Sequence, residues 1–349
     1  MNKIINKALF YKEWINVKWV TLLTIVILLY FKVYGVISAL NQNEIYFQQH
    51  GEVWTDRWFN NGLHERGTYV LVMIFVVILI AMILFAGEKA SENQGFLASM
   101  PFTRKEIILN KWIVGVLSIL ISFVVTYIFL SLLYVANINN LDTVLNPYSD
   151  IVIWVLMDIF QYICIFTFIM LAQTVMGNSI VAGIVGGIIL IVPYFITLVL
   201  QSLIDRFYME NFYIIVDKIG PWLNIYSYNL TQERWLENTA NSGKELYRTF
   251  YYIDYKLKLL ILFILTCLFL YLSYVSYKKR SLEYNLKLIS FKNLEPIFSI
   301  GFAICLGLLA GSIYYERGRL STFTIGAVIF TIIGYFIAKL LLKVLSSDK

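Results

Sequence analysis

Eight apolar stretches, each about long enough to cross a membrane, constrain the fold of this chain more than any other feature. A bilayer core about 30 Å thick requires roughly 20 apolar helical residues. Every backbone polar group must also be satisfied within the lipid, so the stretches are predicted to be α-helices. They lie at approximately 19–40, 69–87, 112–136, 151–176, 179–200, 257–277, 297–314 and 323–345. We therefore predict an all-α polytopic membrane protein with about eight transmembrane helices.

The continuity of the apolar runs also decides between the two structures that can span a bilayer. A β-barrel would show segments of about ten residues with alternating hydrophobicity, whereas residues 70–80 are apolar without interruption. Hydrophobic residues make up 59% of the chain and charged residues only 14%, against about 25% charged residues in a typical soluble domain. This composition excludes a soluble enzyme, a disordered linker and a disulfide-stapled secreted domain.

The sequence contains no recognisable catalytic or metal-binding set. The three cysteines lie far apart in apolar runs, and the two histidines share one polar loop without a carboxylate or thiol at ligand spacing. There is no Gly-x4-Gly-Lys-Ser/Thr phosphate loop, so the chain is not predicted to hydrolyse ATP by that chemistry. We therefore expect no catalytic residues, no metal site and no cofactor in this chain.

Lysine and arginine are distributed unevenly between the two sides of the membrane. With eight spans, residues 1–18, 87–111, 278–296 and 339–349 share one side and carry sixteen positive charges. The opposite side carries ten, although its segments are longer in total. Because cytoplasmic loops carry an excess of lysine and arginine, both termini are predicted to be cytoplasmic. We expect a multi-pass protein of the cell membrane, and the abundance of Ile, Asn, Lys and Tyr favours a bacterial source.

Two segments outside the spans are predicted to lie at the membrane surfaces. Apolar residues recur at roughly helical spacing in residues 1–18, which predicts an amphipathic helix in the cytoplasmic interface; a frayed lead-in to span one is the alternative. The outer segment 201–256 is rich in aromatic residues interleaved with charges, which favours helices at the outer headgroup layer. A lining for the exit of an amphipathic or peptide-like substrate is the second interpretation of this segment.

The cytoplasmic stretch 87–111 carries the most specific signature in the chain. Its second half is a predicted helix start, in which Thr103 is the cap and Glu106 returns a hydrogen bond to the cap N–H. Pro101 disfavours helix at the residue before it. The first half is predicted to form a short helix that exposes Phe96 and Leu97 in the cytosol. Such a helix either folds back onto the membrane surface or docks to a partner protein.

This stretch resembles a known family. A span ends in Gly-Glu-Lys, Gly-Phe-Leu-x-Ser-x-Pro-x-Thr-Arg-Lys-Glu-Ile follows, and Lys-Trp opens the next span. This order is similar to that in the permease subunits of ABC-2 type transporters, where the loop is the coupling helix that inserts into a groove of the ATP-binding subunit. The opening Tyr-Lys-Glu-Trp at 11–14 resembles a Gram-positive branch of these permeases. By this resemblance the coupling residues are Gly95, Phe96, Leu97, Ser99, Pro101, Thr103, Arg104, Lys105 and Glu106.

The resemblance implies a domain organisation and a function. It covers an interfacial helix at 1–18 and a six-span core at 19–280, whereas residues 281–349, a cytoplasmic linker with two further spans, lie beyond the usual six. The chain is then expected to be the membrane-spanning permease of an ATP-driven exporter. It would dimerise in the lipid bilayer with itself or a similar permease, while a separate ATP-binding subunit binds ATP and magnesium. Nothing in the sequence points to nucleic acid.

Two other functions stay open from the sequence. A stand-alone carrier driven by an ion gradient usually places several ionisable residues at mid-membrane, and here Asp158 is the one clear candidate. A non-transporting membrane sensor of antibiotics or peptides is the other alternative. It would use the outer loops to detect its ligand.

Polar side chains within the apolar runs are the remaining candidates for a functional site. Asp158 lies about two turns into span four, with Gln161 on the same helix face, and an intramembrane carboxylate is by default a functional candidate. If the span begins near residue 156 instead, Asp158 is solvated at the outer interface. Lys32 lies near the outer end of span one, where its side chain can snorkel to the headgroups.

Two further features concern the bending and packing of the spans. Pro193 interrupts the backbone hydrogen bonds of span five and predicts a kink. Gly183 to Gly187 and Gly307 to Gly311 are small-x-x-x-small spacings, which allow two helices to approach closely in lipid. A contact between subunits is one interpretation of both spacings.

Overall fold

The computed structural model describes residues 6–50, 58–64, 68–89, 102–141, 143, 146–204, 218–237, 246–280, 288–313 and 320–344. Most of the described residues are helical. The helices are α1 (Lys7–Leu28), α2 (Gly35–His50), α3 (Trp58–His64), α4 (Tyr69–Lys89), α5 (Arg104–Ala136), α6 (Ser149–Val175), α7 (Ser179–Ile189), α8 (Val192–Ile204), α9 (Tyr255–Lys279), α10 (Glu295–Ile313) and α11 (Leu320–Val344). The strands are β1 (Gln232–Glu237) and β2 (Leu246–Tyr251).

The membrane-spanning candidates agree with the predicted apolar runs. Among the described residues, seven helices are long and apolar enough to cross a membrane, and the bent pair of α7 and α8 is an eighth candidate. Each of the eight coincides with one of the runs predicted from the sequence. The prediction of an all-α multi-pass membrane protein is therefore confirmed.

The first membrane-span candidate is Lys7–Gln42, and its helix continues to His50, the end of α2. It begins after Asn6, whose side chain accepts a hydrogen bond of 3.0 Å from the backbone N–H of Ala8. A π-helical segment, Leu29–Tyr34, joins α1 to α2 without a break. Because the helix passes residue 18 uninterrupted, the predicted boundary between an interfacial helix and span one does not coincide with any break in the helix.

Span five is bent between α7 and α8, whose axes meet at 40°. The side chain of Asn178 begins α7 by accepting hydrogen bonds from the N–H groups of Ile180 and Val181. Pro193 is the second residue of α8. A proline in the first turn lacks only an N–H that would have no helical partner there, and its ring opposes continuation of the preceding helix. The kink predicted at Pro193 is confirmed.

The strands β1 and β2 form an antiparallel hairpin within the segment 201–256. Gln232 pairs with Tyr251 at one end and Glu237 pairs with Leu246 at the other. Residues 218–223 are helical, but the prediction of helices for this segment was wrong for the two strands. The strands contain Trp, Tyr, Phe and Thr among their residues, which are the types that favour a pleated, half-buried backbone.

The chain divides into two units, each assembled from three separate parts of the sequence. Unit 1 consists of Met1–Ile80, Asn110–Phe166 and Asn229–Leu268, and unit 2 consists of Ala81–Leu109, Thr167–Tyr228 and Phe269–Lys349. Several membrane helices therefore contribute one end to each unit. The site residues described below fall into one unit or the other.

In unit 1, polar contacts show that α1 and α5 run in the same direction. Glu13 contacts Lys111 near the start of both helices. Further along, the hydroxyl groups of Thr21 and Ser118 lie 2.6 Å apart, and Ser122 donates a hydrogen bond of 3.3 Å to the carbonyl of Thr21. Contacts that advance together along both helices require parallel packing, as the first and third spans of a multi-pass chain need.

In unit 2, the residues after α9 attach to the short turn between α6 and α7. The N–H of Gly177 donates to the carbonyl of Leu288, and the N–H of Ser290 donates to the carbonyl of Val175. Around this backbone bridge Met176, Ala182, Leu288 and Ile289 are buried together, and Phe298 of α10 and Leu342 of α11 pack against them. The C-terminal helices are thus anchored within unit 2.

The C-terminal helices α10 and α11 approach each other closely at glycines. A Cβ added at Gly307 would lie 1.9 Å from Oγ1 of Thr331 and 2.7 Å from the carbonyl oxygen of Ala327. A Cβ added at Gly311 would lie 2.9 Å from the ring of Phe323. The small-x-x-x-small spacing of Gly307 and Gly311 therefore serves a contact within this chain.

Candidate functional site

The predicted coupling segment 87–111 lies in unit 2 as far as Leu109. Residues 104–111 form the start of α5. Gly95, Phe96, Leu97, Ser99 and Pro101 lie outside the described residues. The structure does describe the two stems of the segment, residues 87–89 at the end of α4 and residues 102–111 at the start of α5. These stems connect the segment to the membrane helices α4 and α5.

The second stem is a complete capping box. The N–H of Thr103 donates a hydrogen bond of 2.8 Å to Oε2 of Glu106, and the N–H of Glu106 donates one of 3.3 Å to Oγ1 of Thr103. The helix begins at the next residue, Arg104. The reciprocal bonds satisfy two backbone donors that a helix start leaves without partners. The capping box predicted from the sequence is confirmed.

Arg104 joins this stem to the end of α9. Its Nη1 atom donates hydrogen bonds of 3.3, 2.9 and 2.5 Å to the backbone carbonyls of Tyr277, Lys278 and Arg280. The last carbonyls of a helix have no partners within the helix, and a positive charge there is also favoured by the helix dipole. Arg104 therefore acts as a C-terminal cap for a helix that is remote in sequence.

The first stem, residues 87–89, also contacts the end of α9. The hydroxyl of Tyr277 donates a hydrogen bond of 3.1 Å to Oε2 of Glu88. The next residue, Lys89, donates one of 2.5 Å to Oε1 of Gln173 in α6. Glu88 and Lys89 are both buried, and they belong to the Gly-Glu-Lys that ends span two. This part of the motif thus contacts α9 and α6.

Gln173 connects the first stem to the beginning of span five. Its Nε2 atom donates a hydrogen bond of 2.8 Å to the carbonyl of Ser179, the first residue of α7, and Ser179 Oγ donates to the carbonyl of Met82 in α4. Arg280 donates a long hydrogen bond of 3.4 Å to the carbonyl of Gln173. Burial lowers the pKa of the Arg280 guanidinium, while the nearby Glu88 carboxylate opposes that change.

The stem contacts together form what we call the stem clamp: Glu88, Lys89, Arg104, Gln173 and Tyr277. Both stems of the segment reach the same end of α9, one through Tyr277 and the other through Arg104. Charged groups take part in the contacts of Glu88, Lys89 and Arg104, and such hydrogen bonds are stronger than neutral ones. The stem clamp therefore connects the ends of α4, α6 and α9 with the start of α5.

A second polar site lies in unit 1 and contains the two intramembrane residues predicted from the sequence. Asp158 is 1% exposed and Gln161 is fully buried. The hydroxyl of Tyr69 donates a hydrogen bond of 2.6 Å to Oδ2 of Asp158, and Nδ2 of Asn229 donates one of 2.8 Å to Oδ1. The backbone N–H of Asn229 donates a bond of 2.6 Å to Gln161. Burial of Asp158 excludes the alternative in which it is solvated.

Lys32 belongs to the same site. It lies in the π-helical segment of the first membrane helix, a conformation that is often found at functional sites. Its ammonium group donates a hydrogen bond of 2.8 Å to the carbonyl of Leu63 and lies 4.2 Å from the ring centre of Tyr69. Lys32 is 2% exposed. The prediction that Lys32 snorkels to the headgroups was therefore wrong.

A small cavity of about 10 Å³ lies in this site, which is about the room that a single water molecule needs. Among the residues described by the structure, the Nε1 atom of the buried Trp154 has no hydrogen-bond partner. The cavity is lined by Lys32, His64, Tyr69, Val70, Trp154, Asp158, Asn229 and Tyr252. We call these residues, together with Gln161, the intramembrane cluster.

Most members of the intramembrane cluster could not be found from the sequence. Asp158 and Gln161 stood out as polar residues in an apolar run. Tyr69, Trp154 and Tyr252 look like the aromatic residues common at membrane interfaces, and Asn229 lies seventy-one residues from its partner Asp158. Among the other members, the charge of Lys32 within span one was a usable signal.

The described part of the chain has no arrangement suited to a metal ion. No group of three or more His, Cys, Asp or Glu side chains comes together within it. The cysteines are free: Cys164 is buried, Cys267 is exposed and Cys305 is partly buried. The site residues thus offer hydrogen bonds, charge and packing rather than metal or thiol chemistry.

Comparison with known proteins identifies a family for this chain. A family model described as ABC-2 family transporter protein matches residues 9–282. The matched range contains the segment 87–111, the stem clamp and the intramembrane cluster, whereas α10 and α11 lie beyond it. No curated protein and no solved structure matches the chain. The resemblance found in the sequence is confirmed.

Proposed function

The chain belongs to the ABC-2 family of transporter proteins and is a membrane-spanning permease subunit, and from this premise we propose that it is the permease of an exporter. Family membership implies pairing with an ABC ATP-binding subunit. In our proposal that subunit binds ATP and magnesium and docks on the segment 87–111. The permease dimerises in the cell membrane with both termini in the cytoplasm, and each half carries one docked ATP-binding subunit.

The stem clamp is the observation that carries this proposal. Glu88 in one stem and Arg104 in the other both contact the end of α9. A partner that pushes on the segment between them therefore moves the ends of several membrane helices rather than a loose loop. Packed and hydrogen-bonded elements of this kind pass a displacement on, because they have few arrangements of similar energy.

Association with an ATP-binding subunit is the direct test. We expect the chain to co-purify with a phosphate-loop ATPase encoded by a neighbouring reading frame and to raise its rate of ATP hydrolysis in proteoliposomes. Replacing Phe96 and Leu97 by Asp is expected to abolish both effects, because the resemblance places these apolar residues in the groove of the partner. Loss of such apolar anchors typically weakens an interface by about 2 kcal/mol or more each.

The matched control changes two exposed residues of α2, Gln48→Asp with Gln49→Asp. This pair also adds two negative charges at neighbouring positions, but in the loop predicted to lie outside, so association and stimulation are expected to persist. Equal association of the Phe96/Leu97 variant and the control would contradict coupling through 87–111.

Family membership favours the ATP-driven subunit over the two functions that the sequence left open. A stand-alone carrier would move its substrate in proteoliposomes that contain the purified chain without nucleotide. A sensor would change conformation with its ligand but show no flux. We expect flux only when the ATP-binding subunit and ATP are both present, with ATP inside the compartment that contains the segment 87–111.

A further inference from the structure

A buried ion pair in unit 1 joins the first membrane helix to the last residue of the segment 87–111. The Nζ atom of Lys111 donates a hydrogen bond of 3.0 Å to Oε1 of Glu13. The side chains of Lys111 and Glu13 are 1% and 3% exposed. The ammonium group of Lys12, whose side chain is 44% exposed, lies 3.8 Å from the same Glu13 oxygen. Glu13 belongs to the Tyr-Lys-Glu-Trp motif of α1, and Lys111 belongs to the Lys-Trp motif of α5. The ion pair therefore joins two of the motifs that carry the resemblance to the family.

This ion pair is poorly suited to provide stability alone. Removing two charges from water carries a large penalty, and an apolar pair of similar volume is often as stable or more stable. Oε2 of Glu13 also accepts no hydrogen bond from any residue that the structure describes. A buried charged pair with an unsatisfied oxygen points to another role, and the best-attested one is to set the register of two helices.

A second polar contact lies further along the same two helices. The hydroxyl groups of Thr21 and Ser118 are 2.6 Å apart. Thr21 follows Glu13 by about two turns, which is about 12 Å along α1. Two attachments at this separation oppose both the sliding and the rotation of α1 against α5, so α1 must follow when α5 moves.

We infer that Glu13 and Lys111 form a positioning pair that makes α1 follow the segment 87–111 during the ATP cycle. The inference rests on the proposed function, because the movement originates in the ATP-binding subunit. Helix α5 begins at Arg104 and carries Lys111 without interruption, so a displacement of the segment reaches Lys111 through continuous helix. Glu13 then transfers the displacement to α1, which crosses the membrane.

The decisive variant replaces both charges by apolar side chains, Glu13→Leu with Lys111→Met, in the full chain co-purified with the ATP-binding subunit. A purely structural pair predicts that this variant keeps its thermal stability and its stimulation of ATP hydrolysis, because packing is retained. A positioning pair predicts that stability and association are kept, while stimulation in proteoliposomes falls by about two- to thirtyfold. The control Lys18→Met removes an exposed charge from the same helix, five residues after Glu13, and keeps the stimulation.

A second variant, Glu13→Gln with Lys111→Gln, removes both charges but retains polar side chains. The same loss of stimulation is expected, so the test does not depend on the folding of the apolar variant. Normal stimulation by either double variant, at normal thermal stability, overturns the inference. Failure of the unaltered chain to bind the ATP-binding subunit would instead overturn the proposed function, so the two failures are distinguishable.

Discussion

The hydroxyl of Tyr69 donates a hydrogen bond of 2.6 Å to the carboxyl group of Asp158, and both side chains are almost fully buried in unit 1. Asn229 donates to the other carboxyl oxygen. Each oxygen of Asp158 therefore has a donor of its own. In an apolar surrounding such bonds are strong, and their loss leaves buried polar atoms without those partners.

Removal of the Tyr69 hydroxyl is expected to destabilise the protein. Tyr69→Phe keeps the ring but removes the donor to Asp158, and a buried acceptor that loses its donor costs about 1–3 kcal/mol. The thermal unfolding of the purified chain in detergent should therefore begin at a lower temperature. Tyr271→Phe, which removes an exposed hydroxyl from α9, is the matched control and should leave the curve unchanged. Equal curves for both variants would argue against this bond.

Asn229 is expected to fasten the outer segment to span four. Asn229→Ala removes the bond to Asp158 but retains the backbone bond to Gln161, so the residues around position 229 should open more often. Amide hydrogen exchange measured on peptides that cover 218–237 is expected to rise by about five- to tenfold, the factor that corresponds to about 1 kcal/mol of local stability.

Tyr148→Phe controls for the loss of a polar contact elsewhere in unit 1, because Tyr148 bonds to Tyr127 and Ser131. This variant should leave exchange in 218–237 unchanged. An unchanged rate in the Asn229 variant would show that the backbone bond to Gln161 alone holds the segment.

Arg104 is expected to stabilise the end of α9 and to support coupling. Arg104→Gln removes the charged donor to the carbonyls of Tyr277, Lys278 and Arg280, with a loss of about 1–2 kcal/mol. We expect lower thermal stability and weaker stimulation of the ATP-binding subunit. Lys279→Gln removes an exposed charge from the same helix end and separates the effect of charge from that of the hydrogen bonds. A control that behaves like Arg104→Gln would leave charge as the sole cause.

The glycine contact between α10 and α11 allows a paired test. Gly307→Ala would place its methyl group against the backbone oxygen of Ala327, and overpacking of this kind costs about 1–3 kcal/mol. A Cβ at Gly301 in the same helix meets nothing within 4 Å, so Gly301→Ala should be neutral or stabilising by up to about 1 kcal/mol. The unfolding temperature should fall in the Gly307 variant and stay the same or rise in the Gly301 variant, and a similar loss in both would contradict the close approach.

The helical framework could be predicted because its cause is local. A run of about 20 apolar residues satisfies both the thickness of the bilayer and the backbone without help from the rest of the chain. The cap formed by Thr103 and Glu106 and the bend at Pro193 were predictable for the same reason, since each depends on residues within one or two turns.

The hairpin and most of the intramembrane cluster could not be predicted because their causes are not local. Pairing of Gln232 with Tyr251 depends on two strands that show no strong alternation and are separated by residues 238–245. The burial of Lys32 depends on Leu63, Tyr69 and Trp154, which come from three other helices. A charge near the end of an apolar run looks the same in the sequence whether it reaches water or is enclosed.

The span candidate Lys7–Gln42 contains 36 residues and is therefore about 54 Å long, whereas the hydrocarbon layer is about 30 Å thick. The helix is therefore longer than the hydrocarbon layer is thick. A tilt of α1 near Glu13 is carried through continuous helix to the residues beyond Tyr34, and the π-helical segment Leu29–Tyr34 is where the regular α-helical hydrogen bonding along that path changes.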